Sequence, residues 1–279
     1  MAPANDSDTF DIGGEATVHR MGYGAMRITG PDIIGRPEDE DAARDVLRRA
    51  VDLGVDFVDT ADSYGPGVSE RLVGEALDDE DAFVATKAGL LRTHDGDWLP
   101  HGVPDFLENQ ALCSLDRLGV DSIDLLQLHS PDPDTPFEDS VHRLAELKDA
   151  GLVDHVGLSN VSVDQLETAQ ELVDVATVQN EYNVANREHE DVLSACEDAG
   201  IGFIPYFPIG GGDLGAQREP LEAVADDHDA TVRQVALAWL LDRSPVTLPI
   251  PGTSSTEHLE SNVAASRLSL TDDDRQRLE

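Results

Sequence analysis

Apolar positions along this chain follow two alternating rhythms. Short apolar runs bounded by polar stretches lie near 21–26, 55–59, 82–87, 122–128, 153–158, 176–180, 201–206 and 246–250. Runs of that length read as buried parallel strands. Between them, apolar residues recur every three or four positions near 39–53, 69–77, 105–118, 137–150, 162–172, 187–199, 231–243 and 256–265, which predicts eight helices, with a further short one near 218–228. Gly54, Gly119, Gly151 and Gly200 follow four of these helices and Ser162 precedes another, as stop and start signals should. A hairpin over about 9–19, turning at Gly13-Gly14, comes first. Eight strand–helix units predict an α/β fold of the (β/α)8 TIM-barrel type, with an N-terminal hairpin and a short C-terminus. A doubly wound open sheet is the alternative. It would show a glycine-rich fingerprint opening a helix after the first strand, and Gly22-Tyr23-Gly24-Ala25-Met26 has no such helix pattern behind it.

Across residues 1–279 no linker, low-complexity tract or short repeat interrupts the pattern, so one domain is expected. Met1 to Asp8 is polar and should be frayed. It has neither the basic nor the apolar region of a secretory signal. No apolar run reaches the roughly 18 residues of a membrane span, and a cytoplasmic location is expected. Cys113 and Cys196 lie in helical patterns among apolar neighbours and read as two buried, reduced thiols. No Cys/His cluster has ligand spacing, so no metal is expected.

The formal charge of −38 argues against nucleic acid and anionic membranes as partners. The acids are spread through every element, so an acidic tail is excluded, and apolar periodicity throughout argues against disorder. Few lysines, many carboxylates and an ordinary core resemble the composition of proteins from extreme halophiles. Molar salt shortens the screening length to about 3 Å and makes such self-repulsion tolerable.

The charge also frames the candidate chemistry. Nearly every base is Arg; Lys87 and Lys148 are the only lysines. Lys is a compact charge that responds to burial, whereas Arg is a wide fork that stays charged. Three ionisable residues end consecutive apolar runs: Asp59 after Val55–Val58, Lys87 after Ala82–Ala85, and His129 after Ile123–Leu128. Tyr64 follows five residues after Asp59. Charged groups at the C-terminal ends of successive barrel strands form the layout of a catalytic face. A phenol with a reference pKa near 10 is a weak acid, and a neighbouring ammonium should lower that value. Asp59 would hold Lys87 in place, and His129 would orient a carbonyl oxygen toward the Tyr64 hydroxyl. Singly, an Asp–Lys pair is more often a structural salt bridge and a tyrosine is more often packing; the joint arrangement points to general acid catalysis.

These four residues resemble the Asp, Tyr, Lys, His tetrad of the aldo-keto reductase superfamily. The resemblance runs over nearly the whole chain. It implies a (β/α)8 barrel and a nicotinamide cofactor. Gly157-Leu158-Ser159-Asn160 is similar to the strand end whose Ser and Asn bind the nicotinamide carboxamide, and Gln179 to Asn183 is similar to the strand that follows. Tyr206 falls where an aromatic ring stacks on the nicotinamide. Gly24, Ala25, Met26 and Asp59 are implied on the cofactor's path. Ile250 to Ser255, with Gly252, Thr253 and Ser254, and then His258 and Asn262, resemble the adenosine-phosphate site. Three stretches narrow the resemblance to the bacterial branch containing pyridoxal reductases: Arg20 to Met26 with Gly30-Pro31, Asn180 to Asn183 with Arg187, and Pro205 to Gly211.

The departures matter as well. Many members carry Lys after the last strand's Pro, and Arg six residues later, to grip the NADP 2′-phosphate; Gly252 and His258 stand there. Glu257 and Glu260 flank the site and would repel a phosphate. NADP(H) is the first expectation, with NAD(H) open, and His258 would help only when protonated. With Glu279 soon after the eighth helix, the long C-terminal loop of many relatives is not expected and the substrate pocket is expected to be open; Trp98 and Phe106 are candidate pocket walls. The implied activity is carbonyl reduction of a small aldehyde or ketone, pyridoxal among them, by a monomer. The alternatives are a generic detoxifying aldehyde reductase and a non-catalytic nicotinamide-binding subunit.

Overall fold

The computed structural model describes residues 5–77, 82–210 and 215–279. Strands β1 (Thr9–Ile12) and β2 (Ala16–His19) form the expected antiparallel hairpin. Then come β3 (Tyr23–Gly24), β4 (Phe57–Asp59) and β5 (Phe83–Ala88). A second antiparallel hairpin, β6 (Leu90–Arg92) and β7 (Trp98–Pro100), rises from the end of β5 and was not foreseen. Strands β8 (Ile123–Leu128), β9 (Val153–Ser159), β10 (Val175–Glu181) and β11 (Gly202–Tyr206) complete a parallel sheet of order β3-β4-β5-β8-β9-β10-β11.

The eighth strand expected over 246–250 is a seam rather than a regular ladder. Phe203 N donates to Val246 O (2.8 Å) and Leu248 N to Phe203 O (2.8 Å) on one edge, while Gly22 N donates to Pro249 O (3.0 Å) on the other. Parallel bridges pair Phe203 with Thr247 and Gly24 with Gly252. Pro249 and Pro251 lack the amide donors a regular strand requires, which limits the pairing to these points. The seam joins both edges, so the sheet closes into a (β/α)8 barrel. The first strand is likewise shorter than the expected 21–26, because Ala25–Ile28 turns into a 3-10 helix.

The helices are α1 (Glu40–Asp52), α2 (Val68–Leu77), α3 (Pro104–Leu118), α4 (Phe137–Asp149), α5 (Val163–Gln170), α6 (Glu190–Ala199), α7 (Arg218–Asp227), α8 (Val232–Arg243) and α9 (Thr256–Ala264). Their limits follow local chemistry. Ser162 and Gln165 form a reciprocal capping box at α5, and Gly119 and Gly200 take left-handed φ of 75° and 68° to end α3 and α6. A final helix, α10 (Asp272–Leu278), lies beyond the expected elements. Its signal was present: Thr271 and Asp274 cap one another, and Leu278 is fully buried.

Ile12 and Val18 of the first hairpin pack with Phe57, Ala85, Leu125, Ala176, Ile204, Leu248 and Ile250, an apolar plug inside the barrel. Two larger clusters fill the layer between strands and helices. Toward the strand C-termini the interior turns polar. Gly157 makes room for that layer: a Cβ there would sit 2.4 Å from Thr177 Oγ1 and 2.9 Å from Gln127 Cγ.

Two expectations need correction. Cys196 is buried but Cys113 is only partly so, because α3 leaves it outside the helix's buried positions. The frayed start expected over Met1 to Asp8 falls partly on residues 1–4, which lie outside the described residues, and is corrected from Asn5 on. Asn5 is already buried, its amide donating to Met21 O (2.9 Å) and Gly54 O (3.2 Å). Single arginines on the surface serve several carboxylates: Arg44 meets Glu40, Asp41 and Glu75, and Arg143 meets Asp105, Glu108 and Glu146. Among the described residues no helix is long and apolar enough to cross a membrane.

Candidate active site

The polar layer is built by neighbouring strands delivering one side chain each. Asp59 ends β4, Lys87 lies near the end of β5, and His129 directly follows β8. Tyr64 comes from the turn after β4, which is held because Asp62 N donates to Lys87 O (3.1 Å) and Tyr64 N to Ala61 O (3.2 Å). All four sequence-predicted residues converge, and all are buried. Lys87 Nζ donates to Asp59 Oδ1 (2.5 Å) and Thr60 O (2.8 Å), and lies 3.5 Å from the Tyr64 hydroxyl. The other Asp59 oxygen accepts from Gln179 Nε2 (2.9 Å) and Gln127 Nε2 (3.3 Å). The Tyr64 and His129 rings meet edge to face at 5.9 Å.

Burial sets the charge states. It opposes the Lys87 ammonium, but Asp59 outweighs it with help from Tyr64, so Lys87 stays charged and above its ordinary value. Burial first, and Lys87 second, hold His129 well below its usual range, hence neutral. The expectation that Lys87 lowers the Tyr64 pKa is corrected. Lys87 does pull it down, but burial pushes it up more strongly, and Asp59 and Asp62 add to the push. The phenol is therefore held protonated, with the ammonium at hand to stabilise it when it gives up its proton. Asp62 is itself pushed well above the carboxylate range, chiefly by burial and then by Glu70.

Asp59, Tyr64 and His129 line a cavity of about 570 Å³, with Lys87 sealed behind them. Of the residues predicted to bind cofactor, Gly24, Met26, Asp59, Ser159, Asn160, Gln179, Tyr206 and Gly252 line it. Asn160, at a left-handed φ of 59°, donates to His129 O (2.9 Å) and accepts from the Tyr206 hydroxyl (2.8 Å), which couples three strand ends. Burial raises the Tyr206 phenol to about 12, so that contact keeps its proton. Ala25 is fully buried off the cavity, its carbonyl accepting from Ser69 Oγ (3.0 Å). Ser254 faces a second, adjoining cavity of about 410 Å³. Thr253 Oγ1 accepts from Ser255 N (3.1 Å), and His258 is exposed in the first turn of α9. Glu260 is less repulsive than its sequence position suggests, because Arg49 binds it through Nε (3.0 Å) and Nη2 (2.5 Å). Trp98, on the unforeseen hairpin, lines the cavity and meets the Tyr64 ring at 6.3 Å. Phe106 is not among the residues that line it; its ring meets His101 edge to face at 4.7 Å.

Sequence reading missed Gln127, Ser63, Arg27 and Arg233. Gln127 signalled itself as the amide in an otherwise apolar strand end. Ser63 Oγ lies 3.3 Å from His129 Nδ1, so that the opposite ring nitrogen remains available. Arg27 and Arg233 line the cavity and carried no local signal.

A dinucleotide fits the residues present. Asn262, 1% exposed, has both its amide nitrogen and oxygen buried without a partner. A buried group left so costs roughly 1–3 kcal/mol, and an adenine edge would supply the missing donor and acceptor. Gly24 and Gly252 expose bare backbone where the seam closes; a Cβ on Gly24 would meet Ile250 O at 2.7 Å.

Comparison with known proteins agrees. The family description "Aldo/keto reductase family" matches residues 20–279. An uncharacterized oxidoreductase of Schizosaccharomyces pombe is 47% identical over 96% of this chain and 88% of its own. Pyridoxine 4-dehydrogenase of Escherichia coli is 42% identical over 96% of each chain. Among solved structures, the glycerol dehydrogenase of Gluconobacter oxydans superposes with a TM-score of 0.88 at 27% identity, covering 98% of this chain and 94% of that one. An aldo/keto reductase of Klebsiella pneumoniae in complex with NADP and acetate gives 0.82 at 26% identity, with the same coverage. The closed barrel, the four converging side chains and the match along almost the full length carry one conclusion: this chain belongs to the aldo/keto reductase family of NAD(P)H-dependent oxidoreductases.

Proposed function

We propose that the chain reduces the carbonyl group of a small aldehyde, pyridoxal or another neutral aromatic aldehyde first, with NADPH as reductant. One observation carries the reading: Lys87 Nζ bridges Asp59 at 2.5 Å and the Tyr64 hydroxyl at 3.5 Å, at the floor of a cavity that also holds the neutral His129 ring. When bound, NADPH supplies a hydride to the carbonyl carbon. Neutral His129, with Ser63 on Nδ1, presents its other nitrogen to the carbonyl oxygen and orients it. Tyr64 gives its hydroxyl proton to that oxygen, which becomes the alcohol. Lys87 stabilises the phenolate that forms, and Asp59 keeps Lys87 in place, itself fixed by Gln127 and Gln179. Water later returns the proton to Tyr64. The carbonyl is reduced by two electrons as the nicotinamide is oxidised by two.

The substrate class rests on the 42% identity to pyridoxine 4-dehydrogenase and on Trp98, whose ring offers an aromatic wall beside Tyr64. A charge of −38 disfavours phosphorylated and carboxylated substrates through the field of the whole chain. A cytoplasmic monomer, one domain over 1–279, belongs to the same reading. A kcat/KM series at several KCl concentrations, down to the lowest that keeps the protein folded, tests it, with pyridoxal and benzaldehyde-type substrates beside pyridoxal phosphate and keto acids. A neutral aromatic aldehyde should rank first. A phosphate or carboxylate substrate in first place overturns the substrate class, and no turnover with any carbonyl favours a nicotinamide-binding regulatory subunit instead.

A further inference from the structure

In a chain with 57 acids and 19 bases, an arginine without a carboxylate is an oddity. Among the described residues eleven of the seventeen arginines reach a carboxylate. Arg20, Arg92 and Arg187 instead donate to backbone carbonyls. Among the described residues that leaves Arg27, Arg71 and Arg233 with neither, and two of these three line the same cavity. Among the described residues the only carboxylate lining it, Asp59, is already committed to Lys87. The cavity is thus a cationic spot inside a strongly anionic protein.

Local geometry says why Arg27 stands there. It sits in the 3-10 turn after β3, across the seam from Gly252. A Cβ built on Gly252 would lie 2.9 Å from Gly24 O, so a side chain at that position would force the seam apart. The same Cβ would lie 3.6 Å from Arg27 Cγ. The Arg27 stem therefore occupies the space beside the position where many relatives carry their phosphate-gripping lysine. Arg27 also lines the adjoining cavity together with Ser254. Arg233 reaches the same cavity from the first turn of α8, and Pro208 and Ile209 line that cavity too. Its neighbour Gln234 donates to Ser261 O (3.1 Å), which ties that turn to α9 and the unpartnered Asn262 amide.

We infer that Arg27 and Arg233 form a phosphate clamp for the dinucleotide, Arg27 gripping the 2′-phosphate of NADP(H) and Arg233 the diphosphate. Arg27 replaces, from the turn after β3, the cation that Gly252 lacks. Its fork is permanently charged and matches a phosphate with paired N–H donors. The affinity for NADPH then does not depend on protonating His258. The inference rests on the proposed nicotinamide chemistry, and one binding experiment separates the two. Fluorescence titration of the full chain at fixed high KCl measures Kd for NADPH and NADH in wild type, Arg27→Gln, Arg27→Lys and Arg233→Gln. Losing a charge-assisted phosphate contact should cost about tenfold or more. Arg27→Gln should weaken NADPH by at least about that factor and NADH by less than about threefold, with Arg27→Lys recovering part of the loss. Arg233→Gln should weaken both cofactors together, by about fivefold or more. Unchanged Kd values in both Gln variants, with wild-type melting temperatures, overturn the clamp. Equal loss of NADPH and NADH in Arg27→Gln overturns its 2′-phosphate assignment. Wild type that binds neither cofactor overturns the functional reading itself.

Discussion

Replacing Asp59 by Asn leaves the Lys87 ammonium fully buried without its counter-charge; Nζ keeps only Thr60 O at 2.8 Å and the Tyr64 hydroxyl at 3.5 Å. Breaking a buried pair by removing one partner costs roughly 3–5 kcal/mol. Titration sets a ceiling on that loss, because the orphaned amine can shed its proton. From a reference pKa near 10.4, at about 1.36 kcal/mol per unit, the ceiling is roughly 4.6 kcal/mol at pH 7 and about 2 kcal/mol at pH 9. The penalty of Asp59→Asn must therefore shrink as pH rises. Lys87→Met is the mirror case. Its orphaned carboxylate keeps the Gln127 and Gln179 amides and escapes by taking up a proton, so its penalty shrinks as pH falls. In wild type the folded Lys87 lies above its unfolded value. Its contribution is fully present below that unfolded value and is lost only as pH rises through the folded one, so the reference pair is intact over this range. Urea unfolding at matched high KCl, followed by tryptophan fluorescence at about pH 5.5, 7 and 9, gives both losses. Opposite slopes are expected. Two pH-independent losses, or two that move the same way, refute a buried ion pair as the core of the site.

Tyr64→Phe should lower kcat by about a thousandfold, within the range of general acid catalysis, while NADPH titrates with an affinity close to wild type; near-normal turnover would remove Tyr64 as proton donor. Because burial holds the Tyr64 phenol up and His129 neutral, the reductive kcat should show no inflection between about pH 6 and 9 and fall only above the ordinary phenol value near 10. Lys87→Met removes the group that pulls Tyr64 down, so any alkaline limb should move to still higher pH; a wild-type midpoint near 7 contradicts the burial argument. Melting temperature should climb with KCl from low to molar concentration as the −38 charge is screened, and a flat or falling curve would count against a halophilic protein.

The strand–helix alternation was legible because each buried run and each capped helix carries its own local signal. Asp59, Lys87 and His129 were legible for the same reason: each ends such a run, and parallel strands in register must bring their ends together. What escaped was set by long-range geometry. The seam over 246–252 depends on prolines that thin its pairing, and the β6–β7 hairpin alternates too briefly to register. Arg27 and Arg233 lie 206 positions apart and come to one cavity only through barrel closure. The sign of the Tyr64 shift also had to wait, because the sequence names the neighbouring charge but not the depth of burial that outweighs it.

The two lysines carry one more consequence. Aldehydes condense with unprotonated primary amines, and pyridoxal does so readily. Lys87 is sealed at 0% exposure, and Lys148 is the only other side-chain amine. A surface whose cations are otherwise guanidinium offers almost nothing for a Schiff base to form on. If the proposed aldehyde reduction holds, the enzyme would thereby avoid being modified by its own substrates. Borohydride trapping with excess pyridoxal should accordingly place side-chain adducts at Lys148 alone.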